Sequence, residues 1–165
     1  MRALTASALS GTPKVFASNK LVIIVPSSNP AAIKKPGDLA RADVQLVLAA
    51  PGVPAGDYAR QALSNLGIEG QAEENVVSNE VDDKSVVSKV LLGDADAGIV
   101  YVTDLSGDVA RRLRSIRIPE GDNVVARYPI VALDSAHLEG GRAFVQLVLS
   151  SRGQGILRGF GFGPP

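Results

Sequence analysis

The stretch VQLVLAAPGVPAGDYARQALSNLG, residues Val44–Gly67, contains a strand, a turn and a helix in succession. Val44 to Ala49 is a short apolar run, which suits a strand buried on both faces. Pro51-Gly52 and Val53-Pro54 break it. Beyond them Ala59, Ala62, Leu63 and Leu66 recur at i, i+3, i+4 and i+7, the apolar stripe of a helix. Gly67 is placed to close that helix as a left-handed cap. A strand feeding a helix through a short turn is half of a βαβ unit, and the rest of the chain repeats the alternation.

Leu21 to Val25 is an apolar, β-branched run ended by Pro26 and reads as a buried strand. Asn75 to Ser78 and Ala97 to Val102 read as two more. Val86, Val87, Val90 and Leu91 form a second helical stripe that starts after Asp82-Asp83 and stops at Gly93. The expected fold is therefore α/β, with a mainly parallel sheet flanked by helices. Pro36-Gly37-Asp38 precedes a short helix at Leu39-Ala40. Leu113 to Pro119 and Val124 to Leu133 look extended, with a turn at Gly121-Asp122. Gly141 to Leu149 reads as a helix apolar on more than one face. A short helix ending near Leu157 follows, and then an irregular tail from Gly159 to Pro165.

Composition narrows the function. The 165 residues carry 17 Lys plus Arg and 17 Asp plus Glu, a formal charge of zero, which argues against a polyanion binder and leaves no nucleic-acid partner expected. No apolar run approaches the ~20 residues that span a bilayer. With no Cys there is no disulfide, thiolate metal site or thiol nucleophile. One His and no Trp make a histidine metal cluster or a stacking platform poor expectations. Residues 1–8 lack the apolar core of ~7–15 residues that an export signal needs.

Helix N-termini present unpaired amides and partial positive charge, a ready oxyanion site. Two helices start just after strands, at Ala55-Gly56 and at Asp82-Asp83, where open α/β sheets bind ligands. Small residues at Ala55 and Gly56 let a ligand approach the backbone, although ordinary βα junctions look the same. Tyr101, at the end of the fourth strand, either offers its phenol to a ligand or is a core tyrosine with a satisfied hydroxyl. Asp94 and Asp96 fit a solvated helix-to-strand turn better than an acid/base pair. His137 has no nucleophile motif around it. The tail from Gly159 to Gly163 lacks the Lys and Ser/Thr of a phosphate loop. Arg111-Arg112-Leu113-Arg114 reads as a solvated basic face.

Four stretches carry a resemblance: Phe16 to Ile23, Pro51 to Ala59, Gly93 to Asp104, and Ala143 to Leu157 with Gly161-Phe162. Together they resemble the periplasmic molybdate-binding proteins of ABC transporters, in order and over nearly the whole chain. The resemblance implies a periplasmic-binding-protein-like (type II) fold of two α/β lobes. The oxyanion, molybdate or tungstate, is held between the lobes by neutral donors and delivered to a membrane permease. Carried onto this sequence, it implies oxyanion contacts from the backbone of Ala55, the backbone near Asp83 and the hydroxyl of Tyr101. It implies no catalytic residues, no cofactor, no metal beyond the bound oxyanion, and a periplasmic or cell-surface location.

Two departures follow. Residues 19–125 correspond to a complete second lobe, while 1–18 and 126–165 correspond to the ends of a first lobe whose N-terminal part is not matched. Asp83 stands where the family usually has an uncharged residue. The bare apolar surface expected on 126–165 suggests self-association by exchange of C-terminal elements. The competing readings are an interaction fragment with little anion binding, and an enzyme acting on a phosphorylated small molecule. For the latter no nucleophile, base and orienter converge.

Overall fold

The computed structural model describes residues 9–165, so any reading of residues 1–8 lies outside the described residues. The elements run β1 (Lys14–Pro26), a 3-10 turn (Pro36–Ala40), β2 (Leu46–Ala49), α1 (Pro54–Asn65), α2 (Glu69–Glu74), β3 (Val76–Glu80) and α3 (Asp83–Leu92). They continue with β4 (Ala97–Tyr101), a 3-10 turn (Val102–Asp104), α4 (Gly107–Arg112), β5 (Leu113–Arg117), β6 (Val125–Ile130), α5 (Leu138–Leu149) and α6 (Ser151–Gly159). They divide into two compact units. One is Lys20–Val125; the other joins 9–19 to Ala126–Pro165.

In the unit Lys20–Val125 the strands lie in the order β3-β2-β4-β1-β5. The parallel expectation holds for β3, β2 and β4, whose pairings are Ala49 with Glu80 and Leu46 with Ala97. It fails for β1, which runs antiparallel to both β4 and β5, with Ile23 opposite Ile99 and Ile116. The sheet is therefore mixed. A continuous apolar run tells that a strand is buried on both faces, but it does not give the strand's direction.

Strand periodicity splits the core in two. Leu21, Ile23 and Val25 of β1, Leu46 and Leu48 of β2, and Ile99 of β4 pack with Ala59, Ala62 and Leu63 of α1. The alternate residues Val22, Ile24, Val47, Ala49 and Val100 pack with Val86, Val87 and Val90 of α3. Helices cover both faces, which is why these strands read as unbroken apolar runs. At Gly98 on β4 a Cβ would meet Val86 Cγ1 at 2.6 Å, so α3 lies directly on the strand backbone.

The helix ends follow their sequence signals. Asp82 caps α3 by accepting from the Ser85 amide at 2.8 Å. Gly93 closes it with φ +81°, and Gly67 follows α1 with φ +71°. No helix among the described residues is long and apolar enough to cross a membrane.

In the other unit, Tyr128 of β6 lies 6.2 Å from Phe16 and 5.9 Å from Phe162, the latter edge-on. The tail is less irregular than the sequence suggests. Ser18 and Gly163 exchange backbone hydrogen bonds, and the Ser18 hydroxyl donates to Pro164 O at 2.7 Å. Ser150 caps α6 through the Gly153 amide, and the Gln154 side chain donates to Phe16 O and Val148 O. Although α5 is apolar on more than one face, none of its residues is buried. Phe144, Leu147 and Ile156 remain exposed along a cleft of about 340 Å³, and Phe160 is exposed as well.

Candidate functional site

The three parallel strands β3, β2 and β4 are neighbours, so their carboxyl ends lie along one edge of the sheet. The chain leaves β2 into α1, β3 into α3, and β4 into the 3-10 turn Val102–Asp104. The topology thus brings Ala55, Asp83 and Tyr101 to a single edge of one unit.

At the β2–α1 junction Pro54 occupies the first helical position, where a missing N–H costs nothing. The helical ladder begins with the Asp57 amide donating to Val53 O at 3.0 Å. The amides of Ala55 and Gly56 therefore sit ahead of the ladder, as first-turn amides do. Both residues are buried. A Cβ at Gly56 would collide with the carbonyl oxygens of Ala49 and Ala50, so only glycine lets the helix start this close to the strand end.

Arg60 braces the same junction, a role the sequence reading missed. Its guanidinium donates to Ala49 O (2.9 Å), Gly56 O (3.2 Å) and Asn79 Oδ1 (2.6 Å), and it pairs with Glu73 at 3.2 Å. Its position one turn beyond Gly56 was the available signal.

At the β3–α3 junction Ser85 is satisfied by Asp82, and Val86 starts the ladder by donating to Asp82 O. The amides of Asp83 and Lys84 precede it. Hydrogen bonding from the Ser85 amide holds the Asp82 carboxyl below the usual carboxylate range. At the β4 end, Tyr101 is half-buried and its ring packs against both core clusters. Its amide donates to Asp104 Oδ2 at 2.9 Å. Burial first, and then the neighbouring Asp83 charge, pushes the Asp104 carboxyl up to about 7. Asp104 is a second residue that the sequence reading passed over. Its clue was the three-residue spacing from Tyr101, which closes the turn.

The other readings resolve as turns and surfaces. Asp94 is exposed, and Asp96 accepts from the Gln45 amide at 2.9 Å, so the two carboxylates form no pair. His137 is exposed just ahead of α5. Among the described residues no group of His, Asp and Glu could hold a metal ion.

Three comparisons bear on this arrangement. Residues 1–163 match the sequence profile of the bacterial extracellular solute-binding protein family. The chain belongs to that family. This solute-binding protein is 37% identical over 161 residues to the molybdate-binding protein ModA of Mycobacterium tuberculosis, covering 97% of this chain and 60% of the relative. It spans about three fifths of the length of such curated relatives. Among solved structures, it superposes with TM-score 0.81 and 27% identity on a substrate-binding domain assigned to a molybdenum ABC transporter of Clostridium difficile, covering 97% of this chain and 69% of that one. The periplasmic molybdate-binding protein of Azotobacter vinelandii, at 19% identity, shares the fold with TM-score 0.75, over 96% of this chain and 70% of that one.

Proposed function

We propose that this solute-binding protein captures a tetrahedral oxyanion, molybdate or tungstate, outside the cytoplasm for uptake by an ABC transporter. The first-turn amides at Ala55 and Asp83 and the phenol of Tyr101 act as neutral donors. The observation that carries this reading is the placement of two βα junctions and one strand-end tyrosine at the carboxyl ends of the three neighbouring parallel strands of the mixed sheet. Helix N-termini favour negative charge without a cationic side chain, so a chain of zero net charge can hold a dianion. The ModA relatives support molybdate as the cargo.

On this reading residues 19–125 form one lobe of the binder, and 1–18 with 126–165 belong to the other. The division of the chain after Asn19 and after Val125 supports that assignment. The protein breaks no bond; it binds, presents the anion to a membrane permease and releases it. Titration calorimetry with sodium molybdate tests the reading. A saturable heat, competed by tungstate and lost on disrupting the Ala55 and Asp83 junctions, supports it. No heat from a folded chain overturns it.

A further inference from the structure

Arg60 lies on α1 one turn beyond Gly56, and its side chain is only 16% exposed. A guanidinium so far withdrawn from water must find acceptors for its five N–H donors. This one finds them all. Its Nε donates to Glu73 Oε1 at 3.3 Å, its Nη1 to Ala49 O and Gly56 O, and its Nη2 to Glu73 Oε1 and Asn79 Oδ1. The acceptors belong to the last residue of β2, the first turn of α1, α2 and β3. We propose that Arg60 is the positioning residue of the oxyanion site: its fork locks the β2–α1 junction to β3, the strand that leads into α3. This rests on the oxyanion reading above and deepens it.

Arg60 does not itself touch the anion. Its donors are taken, so none is left for a ligand oxygen, and Glu73 already answers its charge at 3.2 Å. What it controls is the place of the amides. The Ala49 carbonyl that it holds is the atom against which Gly56 packs so closely that a Cβ there would lie 2.3 Å away. A shift of that carbonyl moves the start of α1, and with it the Ala55 and Gly56 amides. At the other end of the fork, Asn79 precedes the Asp83 junction on the same strand-to-helix segment. Beside it the Ala50 amide donates to Glu80 O at 2.7 Å, so backbone and side chain tie β2 to β3 at the same level. Donors on two junctions grip one small anion well only when their separation is set beforehand, because ordering them on binding costs affinity. A guanidinium suits this task. Its planar fork meets several acceptors at set angles, where a lysine offers a compact point charge.

The test is molybdate affinity by titration calorimetry for Arg60→Gln, Arg60→Lys, Asn79→Ala and the double variant Arg60→Gln with Asn79→Ala. Urea curves first locate conditions in which each chain is folded. Arg60→Gln should weaken binding about tenfold, the scale on which supporting contacts act on a bound ion. Arg60→Lys keeps the charge and loses the fork, and should weaken binding nearly as much. Asn79→Ala should cost about threefold alone and add nothing to Arg60→Gln, because their shared contact is then already gone. A residue serving stability alone would lower the urea midpoint and leave the affinity of the folded chain unchanged. That result overturns the inference and leaves anion binding intact. Full affinity in Arg60→Lys, or losses that multiply in the double variant, overturns it as well. No heat from the natural chain overturns the oxyanion reading and this inference with it. Should the Arg60 variants fail to fold, Asn79→Ala decides, since Asn79 is exposed and its truncation cuts only the tie to β3. Weaker binding there supports the lock, and unchanged binding rejects it.

Discussion

The unit Lys20–Val125 and the unit formed by 9–19 with Ala126–Pro165 bury different things. The first buries Leu, Ile and Val on both faces of its sheet, among them Ile23, Ile24, Leu46, Leu48, Leu63 and Ile99. In the second, the apolar residues that reach full burial among those described are alanines: Ala17, Ala126 and Ala132. Its larger side chains, Phe144, Leu147, Ile156 and Phe160, face solvent. Area burial drives folding at roughly 25 cal/mol per Å², so stability is concentrated in the unit that carries the proposed site. Backbone amides can serve as ligand donors only when their positions are fixed, and here they are fixed by the better-packed unit.

The strongest way to break that contrast is a core truncation. Leu48→Ala, at a fully buried position between α1 and the sheet, should cost about 2–5 kcal/mol in urea denaturation. A cost under about 1 kcal/mol would mean that the core is looser than its burial indicates. Gly56→Ala comes next, at about 1–3 kcal/mol, because the added methyl meets the Ala49 carbonyl. Gly153→Ala makes the matching test in the other unit, where the methyl meets Leu147 O. If both glycines cost the same, backbone close approach matters equally in the two units and the difference between them lies in side-chain burial alone.

Tyr101→Phe should weaken molybdate binding roughly fivefold, the loss of one hydrogen bond of about 1 kcal/mol. Unchanged affinity would make Tyr101 a core residue only. Smaller still, Leu147→Ser on the half-exposed face of α5 should shift stability by less than about 1 kcal/mol. A larger loss would show that α5 is packed more tightly in solution.

The free protein has a pH signature of its own. Asp104 has its folded-state pKa raised from 3.8 to about 7, so the folded chain binds its proton more tightly than the unfolded chain does. Its contribution to stability is therefore greatest below pH 3.8, declines as pH rises from there to about 7, and is constant above. The difference in urea midpoint between the natural chain and Asp104→Asn should follow that course. A difference independent of pH would place the proton elsewhere.

Much of this was legible in the sequence because it is local. The runs Leu21–Val25 and Ala97–Val102, the stripe Ala59-Ala62-Leu63-Leu66 and the glycine stops at 67 and 93 each follow from periodicity and cap chemistry. Three things were not legible. The direction of β1 depends on partners about 80 residues away, as in Ile23 opposite Ile99, and no local pattern encodes it. The short α2 has too few residues to display a stripe. The role of Arg60 arises from its contact with Asn79, and the raised pKa of Asp104 from burial and the nearby Asp83 charge, which only the fold brings about. Ala55, Asp83 and Tyr101 were singled out from strand and helix ends, and the same signal marks any βα junction. For that reason their joint placement, rather than their identity, carries the functional argument.

Amide ¹H–¹⁵N spectra of the folded chain, titrated with sodium molybdate, put the question to the donor atoms themselves. Saturating shifts that grow together at Ala55, Gly56, Asp83 and Lys84 are expected. A response confined to residues away from these junctions, or none at all, would show that they do not hold the anion.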